Sequence, residues 1–559
     1  MTELTRTEYV DRYGPSVGDR IHLADTGLVA EVPESLIPTG SESLIGAGKN
    51  IRAGMHVHPG RHPKGLDTVI TNPVVIDPVL GIAKADIGVR DGRIAGIGNA
   101  GNPDVMDTTD GLVIDSQTAI VQGKGLLATP GGIDAHQHFK SPRILDATLH
   151  SGVTSIVMMG HAPNYEARTD RQYLVDAVRA VESVPVNIGF LGQGSDSDPH
   201  SIERSVEAGM CGLKIHEDHG AHPAIVDAAL TVCDEYDVQL SIHTDSINES
   251  GRLEATRDAI DGRTVHAFHI EGSGGGHIPD VLELVGDENV LPSSTNPTVP
   301  HTASTARELR EMIMPVHQME EAVPEDRAFA DARIRDSTMA AEEHLHEMGA
   351  IPMTASDSMG MGRAYETVLS TWQTASEMKR PLDESGPDNE RIRRYLAKYT
   401  INPAITQGID EYVGSLEPGK VADIVLWKPT FFGAKPERVL KCGVIVSAPV
   451  GTENGTTTHG QPTLQKRSVG GVGDAPAPRS LLFTSQYAAR SKTASDFDTA
   501  RRVVPVSGTR GLSRDDMVLN AETPAVSVDP DSHEVTVNGE RVDPDPATEV
   551  SLARRYFLH

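Results

Sequence analysis

Cysteine is scarce in this 559-residue chain: Cys211, Cys233 and Cys442 lie far apart and form no CxxC pair. That excludes a disulfide framework and argues against a thiolate zinc site. Long apolar runs are missing too, and no stretch reaches the roughly 18 apolar residues of a membrane span. The N-terminus, MTELTRTEYVDRYGPSVGDR, is charged from the start and lacks the apolar centre of a secretory signal. Positive charge is in the minority, with 50 Lys and Arg against 79 Asp and Glu and a formal net charge of −29. This balance argues against a nucleic-acid surface or an anionic-membrane footprint. It suits a soluble cytoplasmic protein, and a salt-rich cytoplasm is one condition that produces such acidity. Hydrophobic content is ordinary at 38%, in a length that holds roughly three to four domain-equivalents.

What is present divides into textures. Residues 1–130 have the Gly, Pro and β-branched composition of strands and turns. DTVITNPVVIDP (67–78) and ADIGVRDGRIAGIG (85–98) read as strands, the second turning at Asp91–Gly92. GIGNAG (96–101) has GxGxxG spacing, but NPDVMDTTDG follows it where a dinucleotide fingerprint needs a helix, so it reads as a turn. From about 130 to 420, short apolar strands alternate with amphipathic stretches. The strands include SIVMMG (155–160), VNIGFLG (186–192), GLKIHE (212–217) and VQLSIHT (238–244); the helical stretches include DRQYLVDAVRAVESV (170–184) and HPAIVDAALTVCDEY (222–236). Repeated βα units predict an α/β fold built on a TIM-like (β/α)8 barrel. Beyond 420, VADIVLWKP (421–429) and KCGVIVSAPV (441–450) read as strands. GTENGTTTHGQPT (451–463) and GGVGDAPAP (470–478) read as loops, and HEVTVNGERV (533–542) as a hairpin on Asn538–Gly539.

GGIDAHQHF (131–139) places His136 and His138 two apart. On a strand such residues point to one side, which aims both imidazoles into one pocket. Alone the pair is weak evidence. However, a barrel keeps its active site at the C-terminal strand ends, and polar residues recur there. Lys214 and His216 sit two apart in GLKIHED, His243 ends SIHTD, His269 ends AFHIEG, and Asp357 follows MTAS. Four imidazoles and one carboxylate nearly suffice for two metal ions but leave them without a bridge. An ammonium would repel two cations, whereas a lysine that captures carbon dioxide becomes an anionic carbamate able to link them. We assign that role to Lys214; the bland alternative is a salt bridge to Glu217 or Asp218.

GGIDAHQH, GLKIHEDHG, IHTDSINESG, HAFHIEGSGGGHIPD, LPSSTNPT, ASDSMGMGR and KYTINPAI together resemble the catalytic chain of the ureases, within the amidohydrolase superfamily. The likeness runs from YGPSVGDRIHLADT to ARRYFLH. It implies a metal-dependent hydrolase barrel over 131–419, a composite β-rich domain from 1–130 and 420–480, and a C-terminal extension, 481–559, packed on the barrel. It implies two divalent ions, nickel by family habit, although His and carboxylate ligands also suit zinc, manganese or iron. His136, His138 and Asp357 would bind one ion and His243 and His269 the other, with the Lys214 carbamate shared. A hydroxide between the ions would attack urea, giving ammonia and carbamate. His216 would hydrogen-bond the substrate carbonyl, and Gly274 would line the cavity. His317, on a mobile flap, would be the general acid, with Arg333 orienting groups near it and Asp218 tuning it. Read alone, Arg333 is a solvated helix charge and His317 an exposed histidine. Separate small subunits, a trimeric assembly and metal-loading accessory proteins would be the partners, with no nucleic acid or membrane.

The sequence departs from the family pattern at four places. Val316, His317 and Gln318 stand where the flap carries Cys-His-His, which predicts indifference to thiol reagents aimed at the flap. His219 replaces a tryptophan. MMGHAPNYEARTD (158–170) is shorter than the family's glycine-rich loop, and Met359 and Gly360 replace glutamine and alanine. The ligands and general acid are kept while the substrate-facing shell changes. A second reading is therefore the same machine on another ureido, guanidino or amide C–N bond. A third, a non-catalytic metal-holding structural subunit, fits poorly with a complete ligand set.

Overall fold

The computed structural model describes residues 4–159, 170–216, 219–243, 253–273, 280–382, 386–450, 464–491 and 493–553. Eight strands follow one another in sequential order: β1 (Gly132–His138), β2 (Val153–Met159), β3 (Asn187–Gln193), β4 (Gly212–Ile215), β5 (Gln239–His243), β6 (Val265–Phe268), β7 (Val290–Thr295) and β8 (Met353–Ala355). Each is parallel to the next. The chain beyond β8 returns to β1: Asp357 N–H donates to the His136 carbonyl at 2.8 Å, and His138 N–H to the Ser358 carbonyl at 3.0 Å. The expected TIM-like barrel is therefore present, and three residues proposed as metal ligands, His136, His138 and Asp357, sit on its closing seam.

The sequence explains the layering. All seven residues of β2, VTSIVMM, are buried, as a parallel strand covered on both faces requires. On β4 and β5, Leu213, Ile215, Leu240 and Ile242 join the apolar cluster shared with Ile225, Val226 and Ala229 of the helix Pro223–Tyr236. Successive strand residues face opposite sides, so Lys214, Ser241 and His243 take the barrel interior. Local signals start the helices. Asp170 accepts from Tyr173 N–H ahead of Arg171–Ala180, and Asp198 accepts from His200 N–H ahead of Pro199–Ala208.

A seven-stranded sheet combines early and late chain. Val74–Asp77, Gly81–Lys84 and Leu127–Pro130 pair onward through Ile424–Trp427 to Arg438–Lys441, Val444–Val450 and Leu464–Arg467. Lys441, buried in this sheet, reaches the base of β3, where its Nζ contacts Asn187 Oδ1 at 2.7 Å and pairs with Asp423. A four-stranded sheet holds Arg93–Gly98, Asp86–Arg90, Thr68–Thr71 and Ala119–Gln122 in that order. Its hairpin turns at Asp91 (φ 53°) and Gly92 (φ 71°), the positive-φ pair that an Asp-Gly turn favours.

Two readings change in detail. KCGVIVSAPV is not one strand, because Cys442 (φ 49°) and Gly443 (φ 75°) turn the chain between Lys441 and Val444. The turn went unread because cysteine is an unusual residue at positive φ. In GIGNAG, Gly96–Gly98 complete a strand, and no helix follows before Ala119. Further on, Leu481–Thr484 pairs parallel with β3, and Arg502–Pro505 pairs with it in turn. The hairpin at Asn538 (φ 53°) and Gly539 (φ 83°) is formed. Among the described residues no helix is long and apolar enough to cross a membrane. The loop 451–463, most of 158–170 and the terminal RRYFLH lie outside the described residues.

Candidate metal centre

Strand ends deliver the side chains. His136 and His138 close β1, Lys214 lies in β4, His243 ends β5, His269 follows β6 directly, and Asp357 follows β8. All six are buried, with 1–4% of their surface exposed. His136 Nε2 and His138 Nε2 lie 3.2 and 3.1 Å from Asp357 Oδ1. The candidate ligand atoms of these three residues all fall within 4.8 Å of one another. A second group adjoins them. The His243 ring is 4.1 Å from His269 and 4.2 Å from His216, and His269 is 5.4 Å from His136, centroid to centroid. Phe268 packs against the first group. Its ring stacks on His136 at 3.7 Å and carries Lys214 Nζ 3.9 Å from its centroid.

The backbone is bent to this purpose. His269 (φ 31°) and Asp357 (φ 51°) both occupy the left-handed region, which costs a non-glycine residue roughly 1 to 3 kcal/mol and clusters at functional sites. Asp134 holds the seam: its Oδ1 accepts from His136 N–H at 3.2 Å and Ser356 N–H at 3.1 Å, and its Oδ2 from Gln137 Nε2 at 2.8 Å. Ser195 clasps His216, accepting from its N–H and donating to its carbonyl, each at 3.2 Å.

Burial pushes the His136 imidazolium down to about 3, despite the opposing pull of Asp357. Burial and neighbouring His243 hold His269 well below the usual histidine range. For Asp357, burial works to raise the carboxyl, but the attraction of His136 prevails and it lies well below the usual range. Neutral imidazoles facing an ionised carboxylate are the protonation states that metal ligation demands. His136 Nδ1 has no hydrogen-bond partner among the described residues. The nitrogen and oxygen donors, their buried convergence and their charge states fit a divalent ion.

Of the proposed catalytic residues, His216 and His317 lie beside these histidines. His317 caps the C-terminus of helix α1 (Thr305–Val316), which carries Pro315 in its last turn. Its ring, partly buried, lies 6.1 Å from His216 and 6.2 Å from His243. The reading of His317 as merely exposed therefore fails. Arg333, the last residue of α2 (Pro324–Arg333), is 2% exposed, with its guanidinium 4.0 Å from the Phe329 ring centroid. It is no solvated helix charge. His219 stands 6.5 Å from His216, ring to ring, and helps line a cavity of about 10 Å³ beside Lys214, with Gln193 and Ser195. Gly360 packs directly against the ligands and leaves no room for alanine: a Cβ there would sit 2.5 Å from Asp357 Oδ1 and 3.0 Å from His138 Nε2, so either side chain would have to shift. Asp218 and Gly274 lie outside the described residues, as does Glu217. A cavity of about 470 Å³ near Asp67, Cys442, Arg479 and Arg502 shares no lining residue with the centre.

Sequence reasoning passed over Phe268, Asp134 and Ser195. Asp134 was legible, because it stands two residues before His136 on the same strand, although the pairing is irregular between Asp134 and Gln137. Phe268 and Ser195 gave no signal, since their roles depend on neighbours distant in the chain.

Two family models match: the amidohydrolase family over residues 127–464, and the urease alpha-subunit N-terminal domain over residues 2–121. The chain is 49% identical to the urease subunit alpha of Haloquadratum walsbyi and 47% identical to that of Haloarcula marismortui, covering 100% of both chains in each case. A solved D-hydantoinase structure is similar over 68% of this chain and 95% of its own, with a TM-score of 0.48 at 16% identity.

Proposed function

This chain belongs to the urease alpha-subunit family, and from that premise we propose that it is the catalytic chain of a urease, hydrolysing urea to ammonia and carbamate. The observation that carries the reading is the buried convergence of His136, His138, Asp357, His243 and His269 around Lys214 at the barrel mouth. We assign His136, His138 and Asp357 to one divalent ion and His243 and His269 to a second. Lys214, carbamylated by carbon dioxide, is the shared anionic ligand, and nickel is the metal. When bound, the ions polarise the substrate carbonyl and supply a nucleophile from water at neutral pH.

The chain's own groups do the rest. His216, fixed by Ser195, hydrogen-bonds the urea oxygen and so orients the carbon for attack. His317, poised over His216 and His243, delivers a proton to the departing nitrogen, because an amide anion is too basic to leave unprotonated. Arg333 and Asp218 position and tune that histidine, and Gly274 lines the cavity. Burial of the ligands and of His216 and Arg333 excludes bulk water and strengthens each polar contact. The division into a composite β-rich domain (1–130 and 420–480), a barrel (131–419) and an extension (481–559) is supported by the mixed seven-stranded sheet. Small partner subunits in a trimeric assembly, metal-loading accessory proteins and a cytoplasmic location complete the reading.

The test is ammonia release from urea by the purified protein, produced with nickel, bicarbonate and its partner chains, with metal counted on the same sample. Rapid release with about two nickel ions per chain is the expected result. A chain that holds two metals and leaves urea intact would overturn the urea assignment and direct the search to ureido and guanidino substrates.

A further inference from the structure

Immediately after β6 the chain makes two nested turns that the proposed mechanism leaves unexplained. His269 sits at φ 31° and Gly272 at φ 97°, and Gly272 N–H donates to the His269 carbonyl at 3.0 Å. Ile270 N–H pins the turn to β7 through the Ser293 carbonyl at 3.2 Å. Inside this turn lies Glu271, fully buried. One of its oxygens accepts Ser273 N–H and the other accepts Ser273 Oγ, each at 2.7 Å. Thr338 Oγ1 approaches the second oxygen at 3.4 Å. Thr338 belongs to α3 (Asp336–Met348), which starts three residues after Arg333 ends α2.

A strained residue persists only where its surroundings over-determine it. The backbone bond from Gly272 closes the turn on one side, and the Glu271 carboxylate closes it on the other. Without that carboxylate the two Ser273 donors would lose the acceptors they have here, at a cost of about 1 to 3 kcal/mol per group. The direction of the His269 ring toward His243 and His136 follows from that closed turn.

We propose that Glu271 is a positioning residue: it locks the 269–273 turn so that His269 presents its imidazole to the second metal ion, and it ties that turn to the helix following Arg333. This rests on the reading of His269 as a ligand. Glu271 touches neither substrate nor ion; it acts through His269.

The test uses the nickel-loaded holoenzyme with its partner chains, dialysed against a chelator while the nickel retained per chain is counted. Glu271→Met, similar in size but with no acceptor, should lose the second ion roughly ten- to a hundredfold faster than wild type, and pass through a stage holding one. Glu271→Gln keeps an acceptor for Ser273 N–H, and its amide can donate to a reversed Ser273 hydroxyl, so it should restore wild-type retention. Glu271→Asp keeps the charge but falls short by one methylene; it should resemble the Met variant and serves if that variant does not fold. For the variants that lose the ion, kcat should fall with KM little changed. Wild-type retention of both ions by the Met and Asp variants, with only Tm lowered, would make the role merely structural and overturn the proposal. If wild-type protein itself never holds two ions, the ligand assignment beneath it fails instead.

Discussion

The rings of His243 and His269 meet edge to face with centroids 4.1 Å apart, although one ends β5 and the other begins the turn after β6. Two imidazoles at this distance gain little from each other. Their shared burial, with His216 a further 4.2 Å from His243, becomes favourable once a cation takes their lone pairs. The same logic governs His136, His138 and Asp357 across the seam. The proposed centre is therefore a set of donors held by the barrel at a cost in strain at His269 and Asp357, which ligation would offset.

Lys214 is the residue whose loss should be felt by both ions. Lys214→Ala removes the nitrogen that would carry the carbamate and leaves the two ligand groups without an anion between them. We expect metal content to fall from about two ions per chain to one or none, and ammonia release to drop more than about a hundredfold, beyond the effect of losing an outer-shell partner. Elemental analysis alongside a urea assay checks both. Unchanged metal content and activity would return Lys214 to the status of a buried structural amine.

The role proposed for His317 separates proton delivery from metal holding. His317 lies more than 6 Å, centroid to centroid, from His216 and His243, on the helix cap and not on a barrel strand. His317→Asn should reduce kcat by about a hundred- to ten-thousandfold, the usual worth of a positioned general acid, with two metals still bound and KM little altered. A parallel loss of metal in that variant would show instead that His317 supports the ligands.

Much of this arrangement was legible in the sequence because a barrel strand repeats every two residues. That period puts His136 with His138 and Lys214 with His216, and the rule of strand C-termini then groups histidines that are far apart in the chain. The same period would have yielded Asp134. Phe268 could not be found this way: an apolar residue on a buried strand looks like core, and its contact with both Lys214 and His136 depends on strands β1 and β4. The place of His317 was likewise hidden, since the connection between β7 and β8 carries three helices whose packing sets where α1 ends. Cys442 shows the limit for local structure, where a turn is made by a residue that turn chemistry disfavours.

The flap position Val316 makes a prediction about reagents. Burial raises the thiols of Cys211 and Cys233 to about 12 and that of Cys442 to about 11, so at neutral pH almost no reactive thiolate exists in the described structure. Incubation with a maleimide should leave urea hydrolysis intact. Val316→Cys places a thiol at the partly buried end of α1, next to His317, and should render the enzyme sensitive. Inactivation of the wild-type protein by maleimide at neutral pH would contradict these thiol assignments.

Glu343 sets a pH dependence of stability that is independent of the metals. It lies in α3 with 7% of its surface exposed. Burial drives its carboxyl up to about 8, aided by Glu377 and opposed by the His301 N–H that it accepts at 2.8 Å. A carboxyl whose folded pKa lies above its unfolded one contributes fully below the unfolded value of 4.5. That contribution is lost as pH rises toward 8, because the unfolded state then releases a proton that the folded state keeps. The shift corresponds to at most about 5 kcal/mol across that window. Glu343→Gln keeps an acceptor for His301 N–H and cannot ionise, so its stability should decline less between pH 5 and pH 8 than that of wild type. Tm measured for both proteins across that range is the check; parallel curves would show that Glu343 is already ionised in the folded protein, its charge met by groups other than His301.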